Sequence, residues 1–299
     1  MPRFSLRPLL FAIVALVALS CRGERAERPD PARDDFGTLI DTAAPPATRI
    51  VSLNPATTEL LFAIGAGDAL VGRSVWDYWP EAARAVPDVG PALRPNVEAV
   101  LARRPDLVVL YASEDNRAAG ERLQAAGVRV IALKIDRIAH VDRALRLFGA
   151  VTDRAPRADS VARAITATLD SVRAATAGLP RPRVFWHIWS QPLITIGAGS
   201  FLHELLDIAG AENVYADLPA VSPPVSLEDV VRRDPDVILA GPVNESTLTS
   251  DPRWQAVRAV REGRIAVVDT TLVARPSVML GAAAAHLATL LHAPAAAQP

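Results

Sequence analysis

One stretch of this chain occurs twice, and the repetition constrains the fold more than any other feature. Residues 98–109 read EAVLARRPDLVV and residues 228–239 read EDVVRRDPDVIL, 130 positions later. Both run Glu-x-Val-[Leu/Val], reach Pro-Asp seven residues after the glutamate, and enter an apolar run. Asn96 and Ser226, two residues before the glutamates, are residue types that cap helix N-termini. Proline lacks the N–H a helix needs, so the chain must leave the helix there. Each copy therefore predicts a short helix, a break and a buried strand. The match continues downstream of both copies. A helix near 117–126 leads to a strand over 128–133, and a helix near 252–261 leads to a strand over 265–268. Short apolar strands alternating with helices imply a mainly parallel sheet covered on both faces. Two similar α/β lobes are expected, over residues 46–152 and 180–292.

Between the lobes, residues 153–179 carry Val161, Ile165, Leu169 and Val172 at helical spacing, with Gly178 and Pro180 as a stop. A helix of about 22 residues starting near Pro156 would be roughly 33 Å long. That is enough to bridge two lobes and restrict hinge motion between them.

The N-terminus reads as an export signal. Arg3 and Arg7 precede an apolar run, Leu9 to Leu19, too short to span a bilayer but suited to a signal-peptide core. The run ends Val17-Ala18-Leu19-Ser20-Cys21, and Cys21 is the one cysteine of the chain. This resembles a bacterial lipoprotein signal, which implies cleavage after residue 20 and acylation of Cys21. An ordinary secretory signal with an incidental cysteine is the alternative. No second cysteine is present for a disulfide. Residues 21–45 are expected to hold a flexible, lipid-anchored tether and a first strand, and residues 293–299 a disordered tail. Lys+Arg (32) nearly balances Asp+Glu (33), which excludes a basic nucleic-acid binder.

Enzyme signatures are missing: no G-x-S-x-G, no Walker GK[ST], no H-E-x-x-H. Gly197-Ala198-Gly199-Ser200 opens a helix near Phe201 and is read as a tight turn rather than an anion site. The five histidines form no H-x-H or H-x3-H pair; His187, just after a strand, is the exception worth following. The aromatic residues carry more information. Trp76 and Trp79 sit in VWDYWP with Tyr78, Trp186 and Trp189 sit in FWHIWSQP, and Tyr111 closes an apolar run. In open α/β sheets ligands bind beyond the carboxyl ends of strands. Aromatics gathered there suit a large, partly apolar ligand, whereas any single tryptophan is more often core.

RIVSLNPATTELLFAIGAGDALVG, WDYWPEA, PNVEAVLARRPDLVV, FWHIWSQPLITIGAGSF and IAGAENVYAD occur in an order that resembles the vitamin B12 periplasmic binding proteins and their siderophore- and haem-binding relatives. These are the substrate-binding subunits of bacterial ABC importers, and the resemblance spans roughly residues 35–292. It implies two α/β lobes joined by one long helix, with a ligand cleft between them and no catalysis. It also implies a monomer without a permanent cofactor, serving an ABC permease dimer and its ATPase subunits. The implied cargo is cobalamin or another corrinoid. By order along the chain, Trp76 or Tyr78, Tyr111, Trp186 or Trp189, and Arg275 stand near the positions that hold it. The turn after the first strand, Ile50–Leu53, lacks the glycines of a nucleotide site; Asn54 caps a helix opened by Pro55, and either the helix N–H groups with Thr57 or Thr58 donate to the ligand or the cap only starts the helix. Glutamates at the positions of Glu98 and Glu228 dock to permease arginines in the resembling family; a helix-start charge is the plainer account.

The chain departs from the B12 pattern twice. AVSPPVS has prolines where a tryptophan is usual, and VVDTTLVARPSVM keeps Arg275-Pro276 without a second arginine. A ferric-siderophore binder would rely on Arg73 and Arg275, and a haem binder on Tyr111 or His187 as axial ligand. Outside transport, an enzyme would have Asp77 and His187 as its best reacting groups, and a surface-interaction protein would dock through the aromatics.

Overall fold

The computed structural model describes residues 33–292. The expected signal peptide (1–20), Cys21, most of the tether and the tail (293–299) lie outside the described residues.

The first lobe contains β1 (Ile50–Leu53), α1 (Pro55–Ala63), β2 (Leu70–Arg73), α2 (Val97–Leu101), β3 (Leu107–Tyr111), α3 (Glu114–Ala125), β4 (Arg129–Leu133) and α4 (Ile138–Val151). The helix α5 (Ala155–Thr176) comes next, 22 residues long. The second lobe contains β5 (Arg183–His187), a small hairpin of β6 (Trp189–Ser190) and β7 (Leu193–Ile194), α6 (Phe201–Ile208), β8 (Glu212–Asn213), α7 (Leu227–Arg233), β9 (Val237–Ala240), α8 (Pro242–Ser250), α9 (Arg258–Arg261), β10 (Ile265–Val267), α10 (Thr270–Val273) and α11 (Leu280–His292). The two main sheets run β2-β1-β3-β4 and β8-β5-β9-β10, with every pairing parallel. They share one plan: α2 and β3 occupy in the first sheet the place that α7 and β9 occupy in the second. The duplicated sequence is thus a duplicated structural unit.

Alternate strand residues enter different cores, as a pleat dictates. Ile50, Leu107 and Val109 join one cluster, while Val51, Val108 and Leu110 join another on the opposite face. The first cluster does not stop at the lobe boundary. It continues through Ala158 and Leu169 of α5 to Trp186 and Leu205 of the second lobe and Leu280 and Leu287 of α11. The lobes therefore share apolar packing along α5, which is costly to shear. The outer face of the second sheet has its own core around Phe185, Tyr215, Ile238 and Trp254.

Two expectations are corrected. The described part of the tether is pinned, and it holds no regular strand. Asp34 is buried and accepts backbone N–H bonds from Phe36 (3.0 Å), Thr38 (2.8 Å) and Ala132 (3.1 Å). Asp35 donates its N–H to the Ala132 carbonyl (2.8 Å), and its carboxylate pairs with Arg143 (2.5 Å). This segment straps the free edge of β4, the usual remedy for an exposed sheet edge. The single helix expected over 252–261 is instead a 3₁₀ turn (Pro252–Ala256) followed by α9. The unforeseen α8 precedes it and buries only Leu248, which is why its sequence shows no apolar period.

Candidate ligand-binding cleft

Every parallel strand ends toward the same edge of its sheet, and the edges carry the candidate residues. Asn54 follows β1, the loop Ser74–Trp79 follows β2, Tyr111 ends β3 and Asp136 follows β4; in the second lobe His187 ends β5, Gly241 follows β9 and Thr270 follows β10. Two polar contacts between lobes show that the edges face each other. Glu59 of α1 accepts hydrogen bonds from Arg275 Nε and Ser277 Oγ, both beyond β10. Arg137, at the start of α4, pairs with Glu204 of α6 (2.6 Å) and donates to the Ala198 carbonyl (3.2 Å). Glu204 also accepts the Ile138 N–H (2.7 Å), so a carboxylate of one lobe serves the open N-terminus of a helix in the other.

The loop after β2 inverts the usual burial pattern. Its carboxylate, Asp77, is fully buried, while Trp76, Tyr78 and Trp79 are 61%, 45% and 47% exposed. Trp189 on the opposite lobe is 59% exposed. Large aromatics rarely remain this open without a partner. The second lobe also contains a hollow of about 360 Å³, lined by residues including Trp186, Phe201, Ser222, Asn244 and Thr270. Its lining has no acidic or basic side chain apart from His187.

The remaining expected residues divide sharply. Asn54 caps α1 by accepting the Ala56 N–H (2.9 Å), and its side-chain nitrogen donates to nothing among the described residues. Thr57 and Thr58 are buried, and their hydroxyls serve the protein. Thr57 donates to the Asn54 carbonyl (2.9 Å), and Thr58 donates to Asp77 (2.7 Å). Neither offers the ligand a donor. Arg275 is likewise committed, to Glu59. Trp186 alternates inward from β5 and is 2% exposed, so it supplies a wall of the hollow and no stacking face. Arg73 donates to the carbonyls of Ala83 (3.0 Å) and Ser74 (2.8 Å). Tyr111 donates to Asp136 (3.0 Å); burial and that carboxylate push its hydroxyl pKa well up, away from phenolate. His187 lies edge-on to Trp254 with both ring nitrogens buried and unpartnered, and burial lowers its pKa.

Gly197 and Gly199 resolve as a close backbone approach. A Cβ on Gly197 would sit 2.2 Å from the Ala220 carbonyl oxygen, and the Gly197 N–H already donates to Val221 O (3.2 Å). Glu98 and Glu228 are exposed at the second positions of α2 and α7, capped by Asn96 and Ser226. Glu98 pairs with Arg122 (2.6 Å), whereas Glu228 forms no ion pair among the described residues.

Three groups escaped the sequence reading as cleft residues: Glu59, Ser277 and the Arg137–Glu204 pair. Their partners lie 66–218 residues apart, and no local spacing announces them. Asp77 did have a signal, a lone carboxylate amid aromatics. Its pKa is pushed up to about 6 because burial outweighs the bonds from Ser74 and Thr58. Glu59 is also raised, by burial acting against Ser277 and Arg275.

The periplasmic binding protein family profile matches residues 50–272. The chain is 33% identical over 200 residues to the vitamin B12-binding protein of Salmonella typhimurium, covering 67% of this chain and 74% of that one. Among solved structures it is similar to the periplasmic vitamin B12 binding protein of Vibrio cholerae, with TM-score 0.73 and 24% identity, over 82% of this chain and 97% of that chain. A periplasmic haem-binding protein from Roseiflexus is equally close in fold, with TM-score 0.73 and 23% identity, over 82% and 98% of the two chains.

Proposed function

This chain belongs to the periplasmic binding protein family, and from that premise we propose that it is an exported, lipid-anchored receptor that captures a corrinoid between its lobes and delivers it to an ABC permease. Family membership supports the coarser statement, a substrate-binding protein of import rather than an enzyme. The corrinoid reading is carried by the commitment of both candidate arginines. Arg275 is paired with Glu59, and Arg73 is fixed by two backbone carbonyls and faces the buried carboxyl of Asp77. An anionic siderophore or the propionates of haem would need free cations, since a buried anion without a partner is strongly penalised. Tyr111 and His187 are poorly disposed as haem ligands, one donating to a carboxylate and the other enclosed by aromatics. Exposed Trp76, Tyr78, Trp79 and Trp189, with a largely apolar hollow that also carries Ser222, Asn244 and Thr270, suit a bulky, partly apolar ligand of low charge.

In this reading Trp76, Tyr78 and Trp189 pack on the ligand and the Asn54 amide reads its rim. Tyr111 borders the site and the receptor acts as a monomer. Glu98 and Glu228 dock to the permease dimer, and Cys21 carries the lipid. The test is titration of the purified protein with cyanocobalamin, cobinamide, haemin and a ferric siderophore, followed by tryptophan fluorescence. Corrinoid quenching is expected, weakened by Trp189→Ala by about 1–3 kcal/mol, the range for a packed aromatic anchor. Binding of the siderophore or haemin in place of both corrinoids would transfer the function to that cargo.

A further inference from the structure

The loop Ser74–Trp79 presents its aromatics to solvent and hides its charge, and the hidden charge is built into a fixed mount. Asp77 Oδ2 accepts from Thr58 Oγ1 of α1 (2.7 Å) and more weakly from the Ser74 N–H (3.4 Å), and Oδ1 accepts from Ser74 Oγ (2.6 Å). Ser74 Oγ in turn accepts the Trp76 N–H (3.3 Å). The charged group facing Asp77 is Arg73 at the end of β2, whose guanidinium is itself fixed by the Ser74 and Ala83 carbonyls.

We propose that Asp77 is a positioning residue for ligand capture. By joining the aromatic loop to the first turns of α1, it holds Trp76, Tyr78 and Trp79 in the orientation that receives the ligand. The assignment rests on the ligand reading above for its consequence, but its geometry stands on its own. A loop that only needed to close would bury an aromatic and expose the carboxylate. Here the carboxylate is the anchor, and three large rings are left free to meet something else. Three donors converge on the carboxylate, which has the lone pairs to accept them all. Protonation turns one oxygen into a donor, and the Thr58 or Ser74 hydroxyl can rotate to accept from it, so the mount is kept. Burial raises the group's pKa to about 6, so the closed loop binds the proton more tightly than an opened, hydrated one, and mild acid favours closure.

Two measurements on the full chain test this. Amide hydrogen exchange of the ligand-free protein, expressed as protection factors for residues 74–80, is expected to show protection at pH 7.5 that rises several-fold at pH 5. Asp77→Ala should lack that protection at both values. Asp77→Asn keeps the size and one acceptor, and should show intermediate protection with no pH step near 6. Titration with cyanocobalamin, which has no group ionising in this range, should give an affinity at least tenfold weaker in Asp77→Ala than in the wild type. A pH step near 6 should be present in the wild type and absent in Asp77→Asn. Unchanged protection of 74–80 in both variants overturns the positioning role. Absence of corrinoid binding by the wild type would refute the cargo, and the exchange measurement would still decide the role of Asp77. Should the alanine variant fail to fold, a wild-type-like pH step in Asp77→Asn is sufficient to refute it.

Discussion

Arg275→Ala separates two accounts of one residue. As a ligand contact, Arg275 would leave stability nearly unchanged when truncated and would cost affinity. As one half of a clasp between lobes, its loss strands a carboxylate. The Glu59 side chain is 1% exposed and that of Arg275 21%, and Ser277 Oγ is the other hydrogen-bond partner of Glu59. Removing one member of a buried ion pair typically costs about 3–5 kcal/mol, because the survivor remains desolvated without compensation. Arg275 keeps some contact with water, so the lower end, about 3 kcal/mol, is expected here. For a folded body of this size that corresponds to a melting temperature lower by roughly 6–12 °C. Asp or Glu groups raised by burial favour the proton-bound native state. Arg275 opposes that rise in Glu59, so its removal drives the pKa higher still. The variant's deficit should therefore be largest at alkaline pH and shrink as pH falls through the raised value. Glu59→Gln on the same background removes the stranded charge and should recover more than half the loss. Urea or thermal unfolding at pH 5, 7 and 8.5 reads all of this. A stable Arg275→Ala protein with weakened corrinoid binding, or a deficit independent of pH, would refute the clasp.

Three further outcomes are expected. Glu98→Ala/Glu228→Ala should bind ligand with wild-type affinity and fail in transport with the cognate permease; normal transport would reduce both glutamates to helix-start charges. Cys21→Ser should move the mature chain from the membrane to the soluble fraction of a bacterial host, and unchanged membrane association would remove the lipid anchor. Because burial lowers the pKa of His187, the unfolded chain takes up its proton first, so this group's stability contribution is present above about pH 6.5 and lost as pH falls. His187→Phe should flatten the decline in unfolding midpoint between pH 7 and pH 5, and an unaltered slope would assign acid sensitivity elsewhere.

The large features were readable because each has a local cause. Pro105 and Pro235 end helices at the same point of a duplicated unit, and α2–β3 and α7–β9 obey the 130-residue offset. The apolar spacing of Val161 to Val172 gave α5 within a residue or two, and Asn54, Asn96 and Ser226 cap the helices as their chemistry requires. What could not be read were partnerships. A threonine after a helix cap looks available until Asp77 arrives from 19 residues away, and an arginine looks free until Glu59 meets it across 216. Trp186 and Trp189 look alike in FWHIWSQP, yet one alternates into the shared core and the other stands beyond the strand end. The strap over β4 rests on Asp34 and Asp35 reaching backbone groups 98 and 99 residues later, in a segment whose composition resembles a linker.

These partnerships bear on how the cleft works. Thr58 and Glu59 are consecutive residues of α1; one holds the aromatic loop through Asp77, and the other holds the second lobe through Arg275 and Ser277. A force on the loop is therefore delivered within one helical turn to the tie between lobes. The lobes also share a core along α5 and a second polar tie at Arg137–Glu204, so wide hinge closure would have to break buried contacts in several places at once. Local rearrangement of the loop breaks far fewer, because its three large rings are already in water. Ligand capture in this architecture is consequently expected to proceed by adjustment of the aromatic loop against a nearly fixed pair of lobes, with α1 as the element that senses it.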